Sequence, residues 1–363
     1  MMKVILITNN PAPYRVPVFN ILASMPGLDF QVLYCSEREP DRRWSLPELE
    51  HKHRYLDSYA GVFSLRGKFI HWNKGVNKLL KKKMPDVVIT CGFSPTMLLG
   101  WLFCQRNNVR HISMSDGTRL SESDLSFVHR YVRKVVFRTT SAFIGASKQT
   151  LSMYSDYDIP ADTFFQSHLC VDNASFVSPK LEKRTYDIMF SGRFIDSKMP
   201  LFFCEIVNRL LKGRKQLSVL ILGSGPGEEK MRSYLSNSPG LLVNFAGYVA
   251  QSDLPKYYGD TKLLLFPTRS DAWGVVANEA CASGVPVITC KNAGVAGELV
   301  VDGVNGFVLP LDEQKWVSAI DKLLDAPEDW LEMSTNALEE VEKYNFDAAA
   351  NGISEACRLS LNS

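Results

Sequence analysis

Short β-branched runs alternate with helical segments along the whole 363-residue chain, and this alternation is the tightest constraint on its fold. The runs predict strands over residues 4–8, 30–33, 86–90, 110–115 and 142–145, then over 187–190, 218–222, 243–246, 262–266, 285–289 and 306–309. Helical stretches fall between them, at 16–23, 73–83, 96–105, 123–139 and 148–154, and residues 314–324, 327–344 and 347–361 close the chain as helices. Successive strands joined through helices run parallel, because a parallel pair needs a long crossover, and the helices then cover both faces of the sheet. The alternation restarts after the polar stretch 179–184, which reads as a hinge. A chain of this length also exceeds one comfortable hydrophobic core. The expected class is α/β, with two doubly wound Rossmann-like domains facing a cleft. The first covers 1–172 and the second 173–345, and a final helix, 346–363, packs back toward the first. Ligands of such sheets sit beyond the carboxyl ends of the strands.

Composition removes several function classes. No apolar run approaches the roughly 20 residues of a membrane span, and nothing resembles a signal peptide, since Met1 leads through Lys3 into the short run 4–7. The eight cysteines are scattered without a CxxC pair, which argues for reduced cysteines and against a disulfide framework or a zinc site. The expected location is cytoplasmic. Charge is uneven. Residues 1–172 hold 22 Lys and Arg against 15 Asp and Glu, whereas 173–363 hold 19 against 24, so the first half faces something anionic. Two basic stretches, 73–83 and 127–138, interleave apolar and cationic residues as interfacial helices do. They predict peripheral docking on an anionic membrane surface, with solvated outer faces of ordinary amphipathic helices as the alternative. No nucleic-acid signature appears.

The residues that can carry chemistry concentrate in the second half. A strand runs into Ser191-Gly192, followed by cations at Arg193 and Lys198. Glycine lets the backbone approach a ligand, the Arg fork matches phosphate oxygens, and Lys adds a mobile charge. Gly223 lies in a glycine-rich turn whose spacing departs from a dinucleotide fingerprint, so it reads as a tight turn that leaves a nucleotide pocket open. A strand ending at Pro267 leads to Asp271, expected at a helix start, with the N–H groups of Trp273, Gly274 and Val275 open to a phosphate or sugar. Glu279, two helical turns on, supplies a carboxylate suited to the vicinal hydroxyls of a ribose.

Residues 190–198, 222–226, 245–249, 266–267, 271–279, 282–286 and 302–306 closely resemble the nucleotide-sugar domain of retaining glycosyltransferases of family four, which have GT-B architecture. The resemblance is almost unbroken over about 185–310. It implies that Asp271, standing where the family carries a first Glu, contacts donor-sugar hydroxyls, that Glu279 holds the ribose, and that Arg193 and Lys198 grip the diphosphate. Gly192, Gly223, Tyr248, Val249, Ala272, Trp273, Gly274 and Val275 complete the implied donor site, with the base read by backbone near Tyr248 and Val249. Glu298 matches an acid beside the donor.

The first half resembles the family more loosely. Residues 9–20 look like the opening of bacterial polysaccharide glycosyltransferases, which implies acceptor roles for Tyr14 and Arg15. Residues 111–117 occupy the strand end where many members carry a His-Asp pair. Ser115 replaces the His and Asp116 is retained as a catalytic and acceptor-binding candidate. Arg119 and His168 complete the acceptor set, and the loop 36–69, with Arg42, Arg43, Trp44 and His51–His53, is expected to shape it. The implied reaction moves a sugar, with a UDP-sugar expected as donor, to a hydroxyl of a glycan or lipid-linked acceptor in bacterial surface polysaccharide synthesis. It proceeds with retention, the leaving diphosphate helping to deprotonate the acceptor. Asp116, Asp271, Glu279, Arg193 and Lys198 form the catalytic set, with no metal and no cofactor. A nucleotide-sugar epimerase, a phosphorylase and a catalytically degenerate scaffold remain as alternatives.

Overall fold

The structure is a computed structural model that describes residues 1–39, 46–58, 63–65, 68–176, 184–236 and 238–362. The predicted hinge residues 179–183 and the loop residues Arg42, Arg43 and Trp44 lie outside them. Two compact units form, one from residues 1–169 with 346–363 and one from 170–345.

Strands run β1 (Met2–Thr8), β2 (Leu28–Tyr34), β3 (Lys52–Tyr55), β4 (Phe63–Leu65), β5 (Lys68–Ile70), β6 (Val87–Cys91), β7 (Arg110–Ser115), β8 (Ala142–Gly145), β9 (Phe164–Gln166), β10 (Tyr186–Ser191), β11 (Leu217–Leu222), β12 (Leu241–Gly247), β13 (Thr261–Phe266), β14 (Val287–Thr289) and β15 (Gly306–Val308). Helices are α1 (Val16–Ser24), α2 (Val76–Lys83), α3 (Pro95–Asn107), α4 (Phe127–Phe137), α5 (Lys148–Ser155), α6 (Pro200–Leu210), α7 (Glu228–Leu235), α8 (Leu254–Gly259), α9 (Val275–Ala282), α10 (Glu313–Asp325), α11 (Pro327–Val341) and α12 (Phe346–Asn362). Proline stands in the first turn of α1, α3, α6, α8 and α11, where its missing N–H costs nothing and its fixed φ favours helix entry.

The first unit holds a parallel sheet in the order β3-β2-β1-β6-β7-β8-β9, with β4 and β5 as a separate antiparallel pair. The second holds a parallel sheet in the order β12-β11-β10-β13-β14-β15. In each, the winding reverses once, between β1 and β6 and between β10 and β13. A crevice opens at the carboxyl ends of such a strand pair, because the helices that follow depart to opposite faces. Both sheets are covered on both faces, so Val4, Leu6, Val88, Ile188 and Leu264 are completely buried whichever way they point. The second core closes around Phe203, Trp316 and Ile320 from α6 and α10.

Most predicted elements stand within a few residues of their observed bounds. Strands β3, β4, β5 and β9 escaped prediction. β3 is a polar edge strand, Lys52-His53-Arg54-Tyr55, that exists because its backbone pairs with β2, and its side chains carry no apolar alternation. α12 belongs to the first unit and packs on α1, β8 and β9. Gly352 permits its close approach, since a Cβ there would stand 1.9 Å from the Gln166 carbonyl oxygen.

Two buried histidines tie the first sheet to its surroundings. His111 is wedged between Thr90 Oγ1 at 2.9 Å and Thr140 Oγ1 at 2.8 Å, and burial pushes its pKa down to about 3. His51 lies between the Tyr34 hydroxyl at 3.0 Å and Asn20 Oδ1 at 2.6 Å, and burial, aided by His53, lowers it to about 4. Unfolded, both titrate near 6.5. The fold therefore keeps their contribution above that pH and loses it as pH falls from about 6.5 toward 4 for His51 and toward 3 for His111, where unfolding takes up protons. The urea midpoint should decline across this window, and His111→Gln should flatten the decline.

Candidate functional site

The second unit's switch point carries the donor candidates. β10 ends at Ser191, and Gly192 follows with open space where a Cβ would stand. Behind it, Gly223 after β11 is fixed as glycine, with φ of 122° and a virtual Cβ only 1.9 Å from the Gly192 carbonyl oxygen. The stacked glycines leave the strand ends low and accessible. Arg193 is exposed immediately beyond. Lys198 closes the 3-10 turn Asp196–Lys198, which hydrogen bonds from Thr268 and Arg269 to the Ser197 carbonyl tie to the loop after β13. From that turn Lys198 forms an ion pair with Asp271, while its Nζ lies 6.0 Å from the centre of the Phe266 ring.

Asp271 is not at a helix start. α9 begins four residues later, at Val275, with Gly274 as its cap. The segment 271–273 belongs to the loop after β14 instead: Asp271 N–H donates to Asn292 O, and Asp271 O and Trp273 O accept from Gly294 and Val295 N–H. The Trp273 N–H is turned toward Asp271 Oδ1 at 3.3 Å and is not open to a ligand, which corrects that part of the sequence reading. Trp273 is fully buried, its indole N–H donating to Asn278 Oδ1 at 2.6 Å and its ring packed on Tyr344, so its side chain holds the loop. Gly274 is required twice over. Its φ is 112°, and a Cβ would stand 2.3 Å from the Phe266 ring. The first N–H groups of α9, at Val275 and Val276, emerge directly after this cap, beside half-buried Ala272.

Glu279 sits in α9 and is buried, with the Tyr258 hydroxyl donating to its Oε2 at 2.6 Å. The same hydroxyl bonds the Ser191 side chain, so Glu279 is anchored to the end of β10. Burial raises the Glu279 carboxyl to about 7, and the tyrosine hydroxyl opposes the rise. The sequence reading missed Tyr258, because an aromatic on the short helix α8 carries no pattern until the fold sets it against Glu279. Tyr248 stands exposed beyond the edge strand β12, with Val249 half-buried next to it. Glu298 is buried in the loop after β14.

The first unit has its own cavity of about 240 Å³ at the β1/β6 switch point, lined by Asn9, Tyr14, Arg15, Glu39, Ser115 and Asp116 among others. Arg15 is buried and precedes α1. One of its nitrogens donates to Ser167 O and Oγ, each at 2.9 Å, and the other to Asp116 Oδ1 at 2.9 Å. Ser115 Oγ accepts the Gly117 N–H and so fixes the turn that presents Asp116. His168 is buried next to Ser167. Arg119 does not join this group: its Nε donates to Asp156 Oδ2 at 2.8 Å, and it lines a different cavity with Tyr131 and Lys134. The reason is chain direction, since the segment after Gly117 turns away toward α5. Glu39, bonded to His71 at 3.1 Å with both side chains buried, is a cavity residue that the sequence reading passed over, because it sits in a polar loop without periodicity. Among the described residues no group of three His, Cys, Asp or Glu side chains is gathered as a cation site.

Residues 185–326 match the family of glycosyl transferases group 1. The matched segment lies wholly within the second unit and contains Gly192, Arg193, Lys198, Asp271 and Glu279. Among curated relatives, the D-inositol 3-phosphate glycosyltransferase 2 of Catenulispora acidiphila is 29% identical over 185 residues, which cover 48% of this chain and 43% of that protein. A sulfoquinovosyl transferase of Arabidopsis thaliana is 26% identical over 152 residues, 41% of this chain and 29% of that one. The chain thus aligns with less than half the length of these relatives. Two solved structures superpose over nearly everything. Sucrose-phosphate synthase from Thermosynechococcus elongatus gives a TM-score of 0.75 at 16% identity, covering 99% of this chain and 98% of that one. Anabaena HepE in complex with UDP and glucose gives 0.75 at 15% identity, covering 98% and 99%. At such identities the likeness speaks for the fold, an α/β chain with two Rossmann-like units, as the strand alternation predicted, and of GT-B type, as the resemblance implied.

Gly274→Ala should lower stability by about 1–3 kcal/mol, because alanine must adopt a left-handed φ against an aromatic ring. A shift of the urea midpoint checks the size, and Ala282→Gly, at the other end of α9, provides the comparison with a loss below 1 kcal/mol or about that.

Proposed function

We propose that this protein is a retaining glycosyltransferase that moves a sugar from a nucleoside diphosphate sugar, a UDP-sugar foremost, to a hydroxyl of a glycan or lipid-linked acceptor. The carrying observation is the second unit's switch point, where the Gly192 opening, the Lys198–Asp271 pair, the start of α9 and the Tyr258-anchored Glu279 all lie inside the segment that matches glycosyl transferases group 1. UDP, bound by the Anabaena neighbour, is the first donor base to try.

In this reading Lys198 and Arg193, with the α9 N–H groups, take up the negative charge that builds on the departing diphosphate. Asp271 holds Lys198 in position and faces the donor sugar. The ionised Glu279 carboxylate accepts from ribose hydroxyls. The sugar C1–O bond to the diphosphate breaks and a C1–O bond to the acceptor forms on the same face. The acceptor's proton passes to a diphosphate oxygen, so no protein base is needed. The fixed cations do the work that a divalent ion would do elsewhere, and the reaction runs without metal. On the first unit, Arg15 and Asp116 are the acceptor candidates, with Tyr14, Ser115 and Glu39 around them. Cytoplasmic synthesis of bacterial surface polysaccharide is the matching setting. No observation on this chain favours the epimerase, and an intact Lys198, Arg193 and Glu279 argue against a degenerate scaffold.

Thermal shift against UDP, GDP, ADP, CMP and TDP, with and without EDTA, tests the donor. Selective stabilisation by UDP that EDTA leaves untouched is expected, and stabilisation by none of them defeats the proposal. Lys198→Ala should cost roughly 10²–10³ in turnover, the loss typical of one charge-stabilising donor. An NMR assignment of the product anomer decides retention.

Glu279 adds a pH signature. Below about 7 its carboxyl is protonated in the free protein and is a poorer acceptor, so UDP affinity should rise as pH increases through about 7. Calorimetric titration with UDP across this range should show the rise in the wild type and not in Glu279→Gln.

A further inference from the structure

We propose that the start of α4 docks the protein on an anionic lipid bilayer, with Phe127, Val128 and Tyr131 entering the interface and Arg130 and Lys134 meeting the headgroups. The sequence singled out two basic stretches as equals, and the structure separates them. In α2, Val76 and Leu80 are completely buried or nearly so, and the lysines merely line the solvated outer side of an ordinary covering helix. In α4 the packing is reversed at the helix start. Val136 and Phe137 anchor its C-terminal end in the core, while Phe127 is 81% exposed, Tyr131 68% and Val128 52%. Leu120, on the loop before the helix, is 48% exposed. Large apolar side chains grouped so openly on one short stretch are uncommon on a surface that meets only water.

Charge names the occupant. Residues 119–138 carry five Lys and Arg against two acids. Glu122 is already paired with Arg133, and the neighbouring Asp156 with Arg119. Arg130 donates to the carbonyls of Leu125 and Ser123 and also acts on Asp156. With Lys134, Arg119, Tyr131 and Tyr157 it lines a cavity of about 380 Å³ open at the surface, where these three cations face two acids, Glu122 and Asp156. Exposed phenyl and phenol rings on a stretch with an excess of cations complement a surface that is anionic outside and hydrocarbon inside. A nucleic acid could stack bases on the rings but would leave the exposed aliphatic Val128 and Leu120 without a partner, whereas a bilayer takes up both. The segment that carries the patch starts at Asp116, so one loop joins it to the first unit's cavity. A lipid-linked acceptor would profit from that adjacency. This last link rests on the glycosyl-transfer reading, whereas the docking itself does not.

The test is flotation of the full chain with phosphatidylcholine vesicles, with and without phosphatidylglycerol, at low and high salt. Wild type should float only with the anionic vesicles and release in high salt. Phe127→Ser with Tyr131→Ser should reduce partitioning by roughly tenfold or more, and Lys134→Glu should reduce it as well. The UDP thermal shift, read on the same samples, reports whether the variants remain folded, and its absence in wild type would sink the donor reading without touching flotation. The proposal is overturned if wild type does not float, if the double variant floats like wild type, or if Lys81→Glu with Lys82→Glu alone abolishes flotation and so moves the contact to α2.

Discussion

The parallel pairing of β10 with β13 sets the terms for everything the second unit can do. It brings two strand ends side by side while the helices after them leave in opposite directions. Ser191 and Gly192 come off one end, and the loop to Asp271 comes off the other. Lys198 and Asp271, 73 residues apart in sequence, meet only because these strands are neighbours. A bare carboxylate or ammonium in a half-buried place is costly, and their pairing offsets that cost while keeping both close to any incoming phosphate.

The same crevice tolerates backbone that ordinary residues would refuse. Gly223 lies against the Gly192 carbonyl, and Gly274 fits its left-handed turn under Phe266. Both are positions where a side chain would either fill the opening or push the loop aside. Beneath them lies Glu279, a carboxyl whose desolvation brings its titration near neutrality, restrained by Tyr258. A buried acid held close to its own switching point is poorly placed for stability and well placed for a ligand rich in hydroxyls. The first unit repeats the logic in milder form. Its cavity lies at the β1/β6 reversal, and Arg15 is pinned by Ser167 on one side and Asp116 on the other.

Legibility in the sequence followed the periodicity. β7 and β8 were readable to the residue, since each is a short, mostly buried segment set between helical stretches. β3 was not, because an edge strand of Lys52, His53, Arg54 and Tyr55 owes its form to a neighbour's hydrogen bonds. Among site residues, Gly192, Lys198, Asp271 and Glu279 were visible as glycines and charges placed after strands. The geometry of Asp271 was misread. Residues 271–273 look like the first turn of a helix, yet the loop 292–295 claims their backbone, and the left-handed Gly274 defers the helix to Val275. Arg119 was misplaced for a similar reason, drawn to Asp156 by a turn that no local pattern announces.

The sequence by itself determined the α/β class, the two-fold restart of the winding and the residue types available at each strand end, because these follow from short-range periodicity and from the need of parallel strands for crossovers. Tertiary structure alone decided which of those residues meet. It joined Lys198 to Asp271, set Tyr258 on Glu279, brought Glu39 to His71, and left Phe127 in the open while burying Val76 and Leu80. Each of these is a long-range pairing or a choice of exposed face, fixed by how elements pack and not by what any one stretch prefers.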